Sequence, residues 1–218
     1  MSQTLAIHST HPQPRLLRQV IGALSDGGVV ALPTDACYVL ACALGERDAV
    51  ARMRSIRQLD DKHLLTLMCR DLSEVSVYAQ VDNRQYRFLK EWSPGAYTFI
   101  LPATKEVPRR LWQASRKTIG LRVPDSPVLA ALLELIEAPL LCSSLIMPGD
   151  DDPLHEADVI AALLGKRIDV IVDCGGQGFT PTTVIDMTGD EPTILRIGVG
   201  TIKGMTTSTA HEAGQLSE

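Results

Sequence analysis

The chain has 218 residues, 45% hydrophobic and 22% charged, an ordinary balance for a soluble globular protein long enough to bury most of the apolar surface it exposes when unfolded. Nothing in it has the length and apolarity of a membrane span. The start, MSQTLAIHSTHPQ, lacks the basic-then-apolar order of a signal peptide, so a cytoplasmic protein without membrane attachment is expected. The net charge of −5 argues against a general nucleic-acid binder.

In chain order, Leu16, Leu17, Val20, Ile21 and Leu24 form an apolar stripe that predicts an amphipathic helix over 15–26, closed by Gly27 and Gly28. His8 and His11, before it, read as decoration of a mobile chain start. A strand follows from Val29 and ends at Pro33, where ring closure fixes φ and removes a donor. Thr34 and Asp35 then present a hydroxyl and a carboxylate at the strand end, where open α/β sheets bind ligands; the same residues also suit a plain turn. A second apolar run begins at Cys37. A helix with a basic outer face is expected over 48–57, a strand over 64–69, helices over 72–78 and 83–92, a turn at Ser93-Pro94-Gly95 and a strand over 97–101.

Next comes a basic segment in which Lys105, Arg109, Arg110, Arg116, Lys117 and Arg122 face Glu106 alone, with a short helix starting near Pro108. A strand is predicted over 118–123, then a strongly apolar helix over 127–137 opened by Pro127, a buried strand over 140–145, a helix over 156–164, and strands over 170–173, 183–186 and 193–196. From Asp150 to Glu191 the charge bias is acidic, so one basic face is expected. Strands alternating with helices predict a twisted, mixed, open α/β sheet with helices on both faces, partly antiparallel. One domain should span 1–202, and the small polar residues of 203–218 predict a disordered tail.

The five cysteines are odd in number, and all but Cys174 lie in or beside apolar runs, as free thiols in a reducing compartment would. None has zinc-ligand spacing, so no metal site is expected. No GxxxxGK[ST] loop occurs, so ATP would have to be held by scattered arginine, lysine and hydroxyl groups. Arginine forks suit phosphate, which they bind bidentately, and Arg57, Lys117, Arg122 and Arg196 are the candidates. For a surface arginine the alternative is simply a solvated face. Arg122 and Arg196 sit inside strand patterns, where a charge needs a partner or a ligand. Trp112 could stack a base or anchor the basic segment.

Seven stretches carry a resemblance: LPTDACY from Leu32, IRQL from Ile56, TLMCRDL from Thr66, SPGAYTFIL from Ser93, TKEVPRRL from Thr104, KTIGLRVPDSP from Lys117 and PTTVIDMT from Pro181. In this order the chain resembles the YrdC family of threonylcarbamoyl-AMP synthases, most closely its YciO branch. The resemblance implies a concave basic cavity and a reaction of ATP, bicarbonate and L-threonine, with Mg2+, that releases pyrophosphate and gives threonylcarbamoyl-adenylate for tRNA modification. It places Thr34 and Tyr38 near threonine, Arg122 near both ligands, and Ser144, Thr183 and Arg196 near ATP. Arg57, Lys117 and Arg122 are the expected catalytic cations.

This sequence departs from the synthases at their Lys-x-Arg motif, where it has Ile56, Arg57 and Gln58. Placing Arg57 on the motif's arginine leaves Ser55 where lysine belongs. It departs again at their Ser-x-Asn, where Ser144 is followed by Leu145 and Ile146, and Val39 stands where a glycine is usual. Weak or lost synthase activity follows from the missing cation and amide. The alternative expectation is a protein that binds double-stranded or structured RNA, or tRNA, without turnover.

Overall fold

The computed structural model describes residues 2–60, 63–111, 117–176 and 178–202. Trp112, Arg116 and the stretch read as a tail lie outside the described residues.

Among the described residues the strands are β1 (Gln3–Ala6), β2 (Val30–Leu32), β3 (Val39–Ala43), β4 (Thr66–Met68), β5 (Tyr97–Pro102), β6 (Thr118–Arg122), β7 (Leu140–Ser144), β8 (Val170–Asp173), β9 (Thr183–Asp186) and β10 (Thr193–Arg196). The helices are α1 (Pro14–Ser25), α2 (Arg47–Arg57), α3 (Leu72–Tyr78), α4 (Asn83–Trp92), α5 (Pro127–Ile136) and α6 (Ala157–Leu164), with a 3-10 turn at Arg109–Leu111. No helix among the described residues is long and apolar enough to cross a membrane.

Local chemistry sets the helix starts. Asp82 and Gln85 form a reciprocal capping box on α4, Asp71 caps α3, and Ser126 caps α5 ahead of Pro127. The α2 helix stops where Gln58 turns left-handed at φ 51°, leaving Arg57 as its last residue.

The strands form one mixed sheet in the order β1-β8-β2-β3-β7-β4-β6-β5-β9-β10. Pairs β1-β8, β8-β2, β4-β6 and β5-β9 are parallel; the others are antiparallel. Antiparallel pairing thus runs through the centre of the sheet and not only through its last strands. The chain start, expected to be mobile, is the edge strand β1, registered Gln3 to Val170 and Ala6 to Asp173. Only Leu5 of that strand is buried, so it carries almost no hydrophobic pattern.

Side chains alternate across a strand, and this divides the core in two. On one face Leu40, Leu67, Phe99, Leu121 and Ile185 pack under residues such as Met53, Leu89 and Ile160 of α2, α4 and α6. On the other, α1 and α5 pack with Val30, Leu32, Val39, Ala41, Met68, Leu140 and Val170, residues of β2, β3, β4, β7 and β8, and with Leu5 of β1. Their cover stops there. The same face of β5, β6 and β9 carries Thr98, Ile100, Gly120, Arg122 and Val184, which join neither cluster and line a cavity instead.

Candidate functional site

The cavity has a volume of about 360 Å3 and is open on one side. Its floor is small and hydroxylated. Thr66, Thr98 and Thr182 line it, and the Thr98 and Thr182 hydroxyls hydrogen-bond at 2.8 Å. At Gly120 an added Cβ would stand 3.1 Å from Thr66 Oγ1 and 3.3 Å from Thr98 Cγ2, so the glycine keeps the floor low. Arg57, His63, Arg122 and Arg196 line the walls, and among the described residues no carboxylate does. A space of this size with few convergent polar groups has the character of a small-ligand site.

Arg122 ends β6 and is 3% exposed. It pairs through Nη2 with Asp35 Oδ1, while Asp35 Oδ2 accepts from the Asp125 amide at 3.1 Å. Its Nε is buried without a partner. Thr34 shapes the turn that delivers Asp35: its hydroxyl donates to the Cys37 carbonyl at 2.8 Å and accepts from the Ala36 and Cys37 amides at 3.1 and 3.2 Å. Tyr38 is fully buried, and its hydroxyl donates to the Val172 carbonyl at 2.9 Å. The structure therefore ties both Thr34 and Tyr38 into the backbone behind the site, with Asp35 as the side chain that reaches Arg122. Chain reversal through 34–38 also delays the second strand to Val39, later than the apolar run from Cys37 suggests.

Arg57 reaches the cavity from the end of α2. It donates Nη1 to the Ile146 carbonyl, just beyond β7, and its Nε is also buried without a partner. Burial lowers its pKa, and does the same to Arg196. Arg196 donates Nε and Nη2 to the Thr182 carbonyl at 3.2 and 3.0 Å.

A bulge puts Arg196 there. Across β9 and β10, Ile194 pairs with Ile185 but Arg196 pairs with Val184, so Leu195 is an extra residue. Cross-strand partners share a face, and Val184 lines the cavity. Regular pairing would have set Arg196 opposite Thr183 on the other face; the extra residue re-aims it. Thr183 itself faces away from the cavity wall formed by Thr182 and Val184. Its buried hydroxyl accepts from the Gly198 amide at 2.9 Å and donates to the Gly200 carbonyl. Gly198 has no room for a side chain, since a Cβ would lie 2.1 Å from the Pro181 carbonyl oxygen.

Ser144 lines the cavity beside the Cys37 thiol. Burial pushes that thiol up in pKa, against the opposing pull of Ser144 and then of Arg122, Arg196 and Arg57. Lys117 precedes β6 at φ 53°, exposed and outside the cavity lining. The structure thus brings together Arg57, Arg122, Ser144 and Arg196, and sets Thr34, Tyr38 and Thr183 behind them. Sequence reasoning passed over His63, which has no motif, and the threonine floor, which only strand parity reveals. All five cysteines are free, and among the described residues no group of His, Cys, Asp or Glu is placed to hold a metal.

The Sua5/YciO/YrdC family model, described as telomere recombination, matches residues 22–198. Escherichia coli YciO is 49% identical over 203 residues, covering 93% of this chain and 98% of that protein, and its crystal structure superposes with a TM-score of 0.90. A threonylcarbamoyl-AMP synthase of Coxiella burnetii is 30% identical over 185 residues, 83% of this chain and 96% of that one. The crystal structure of P. abyssi Sua5 complexed with L-threonine is similar with a TM-score of 0.82 at 26% identity, over 90% of this chain and 58% of that one.

Proposed function

The chain belongs to the Sua5/YciO/YrdC family and is related to threonylcarbamoyl-AMP synthase, and from that premise we propose that its cavity binds ATP and supports threonylcarbamoyl-adenylate synthesis only slowly. One observation carries the ATP reading. Three guanidinium groups converge on a cavity whose lining, among the described residues, holds no carboxylate, and two of them keep a buried Nε unpaired. Leaving a buried donor unsatisfied costs about 1–3 kcal/mol, and a phosphate oxygen would offset that.

Arg57 and Arg196, whose partners are backbone carbonyls, would take the triphosphate. Arg122, paired with Asp35, would face an amino acid, its guanidinium to the carboxylate and Asp35 to the ammonium. The Sua5 structure with L-threonine supports an amino-acid ligand in this fold. In this reading Thr34 and Tyr38 are positioning residues for the Asp35 turn. In the synthase reaction, threonine's amine captures CO2, the carbamate oxygen attacks the α-phosphorus, and the bond to pyrophosphate breaks. Among the described residues no group is placed to hold Mg2+, and Asp35, beside the cavity, is committed to Arg122. The ion would accompany the nucleotide's phosphates, and no step is assigned to it.

Slow turnover follows from the altered motifs. Ser55 and Ile146 stand where the synthases carry a lysine and an amide, and losing one such preorganised donor costs roughly a hundredfold or more in rate. The test is pyrophosphate release from ATP, dependent on L-threonine and bicarbonate, alongside calorimetric ATP binding. We expect ATP binding with scarcely measurable turnover, weakened ATP binding in Arg57→Ala, and a rise in turnover of roughly a hundredfold in Ser55→Lys/Ile146→Asn. Absence of ATP binding to the wild-type protein would refute the reading.

A further inference from the structure

Phe179 is 56% exposed, an unusual state for a phenylalanine, and its ring centroid lies 4.1 Å from that of His155 with the planes tilted by 49°. Nothing in the fold needs that ring in water. Its position follows from neighbours on each side. Gly178 packs so tightly on the turn carrying Asp35 that a Cβ would come 2.4 Å from the Ala36 carbonyl oxygen. Three residues beyond Phe179, Thr182 is a wall of the cavity. His155 arrives from the loop after β7, where the Leu154 amide donates at 2.8 Å to the carbonyl of Leu145, the residue after cavity-lining Ser144. Two loops that lead from cavity-lining residues thus hold a pair of rings against each other.

Building on the nucleotide reading above, we propose that Phe179 and His155 form the platform on which the base of the bound nucleotide stacks. The arginines inside the cavity account for phosphates, and its apolar lining, Val39, Leu64, Ile100, Ile146 and Val184, is aliphatic and offers a base no ring to stack on. A nucleotide with its phosphates among the arginines would leave its base at the mouth, where Phe179 offers an unoccupied π-face backed by the imidazole. Stacking is tolerant of base identity, so the platform selects a nucleotide over a bare polyphosphate and does not choose among bases.

The experiment is calorimetric titration of the full-length protein with ATP and, separately, with inorganic tripolyphosphate, for wild type, Phe179→Ala and Phe179→Trp. Because the ring is exposed, the alanine variant should keep its melting temperature. We expect it to bind ATP roughly 5- to 100-fold more weakly while its tripolyphosphate affinity is unchanged, with tryptophan restoring ATP affinity. Unchanged ATP affinity in Phe179→Ala, or an equal loss for both ligands, would overturn the platform while leaving the phosphate site intact. A wild-type protein that binds neither ligand would overturn the nucleotide reading and the platform together.

Discussion

His63 sits among positive charges. Burial lowers its pKa most, Arg57, Arg54 and Arg196 lower it further, and Asp60 opposes them. Its folded pKa therefore lies below the ordinary 6.5, and the unfolded chain binds the proton first as pH falls. The stability difference is absent while both states are neutral, grows against the folded state below pH ~6.5, and levels off once the folded imidazole is also charged. Urea midpoints measured between pH ~5 and ~8 should fall on acidification, and His63→Gln should flatten part of that fall. An identical slope in the variant would show that the site's charges do not reach this imidazole. At this scale the sequence was informative only where a residue contradicted its surroundings. Arg122 and Arg196 stood out as charges inside apolar strands, whereas His63 precedes a strand in an ordinary polar stretch and nothing marked it.

The elements were read well wherever one face was buried against helices. Prolines and glycines marked several helix ends, and apolar runs marked the central strands. The edges were harder. Strand β1 buries a single side chain, so its pairing depends on backbone hydrogen bonds that leave no pattern in the residues. The bulge in β10 was equally invisible, because an extra residue in ILRIG looks like any other strand position. Its effect is testable by shortening. Deleting Leu195 should restore regular pairing while leaving Arg196 opposite Val184 on the cavity face, so ATP binding should survive the deletion and fall in Arg196→Ala, with the circular dichroism spectrum unchanged in both. A loss of affinity in the deletion variant as large as that of Arg196→Ala would mean that the bulge sets the reach of the arginine and not only its face.

For the molecule as a whole, alternation of strands and helices predicted the mixed sheet with helices on both faces, and the two core clusters realise it. The sequence did not reveal how unequal the covering is, since strand parity matters only once strand order is known. The scale of the cavity favours a single nucleotide. An RNA duplex would have to lie outside it, on exposed Lys105, Arg109 and Arg110 of the basic segment. Over β5, β6 and β9, where α1 and α5 do not reach, the sheet has a hydroxylated, cationic floor in place of a packed layer. A ligand seated there takes the place of a missing layer of the fold, so occupancy and folding are linked and saturation should raise the melting temperature. At a ligand concentration one hundred times Kd the gain is about 2.7 kcal/mol, worth roughly 5–10 °C in a domain of this size. A search for the natural ligand can therefore be run as a search for whatever small molecule makes the protein hardest to melt.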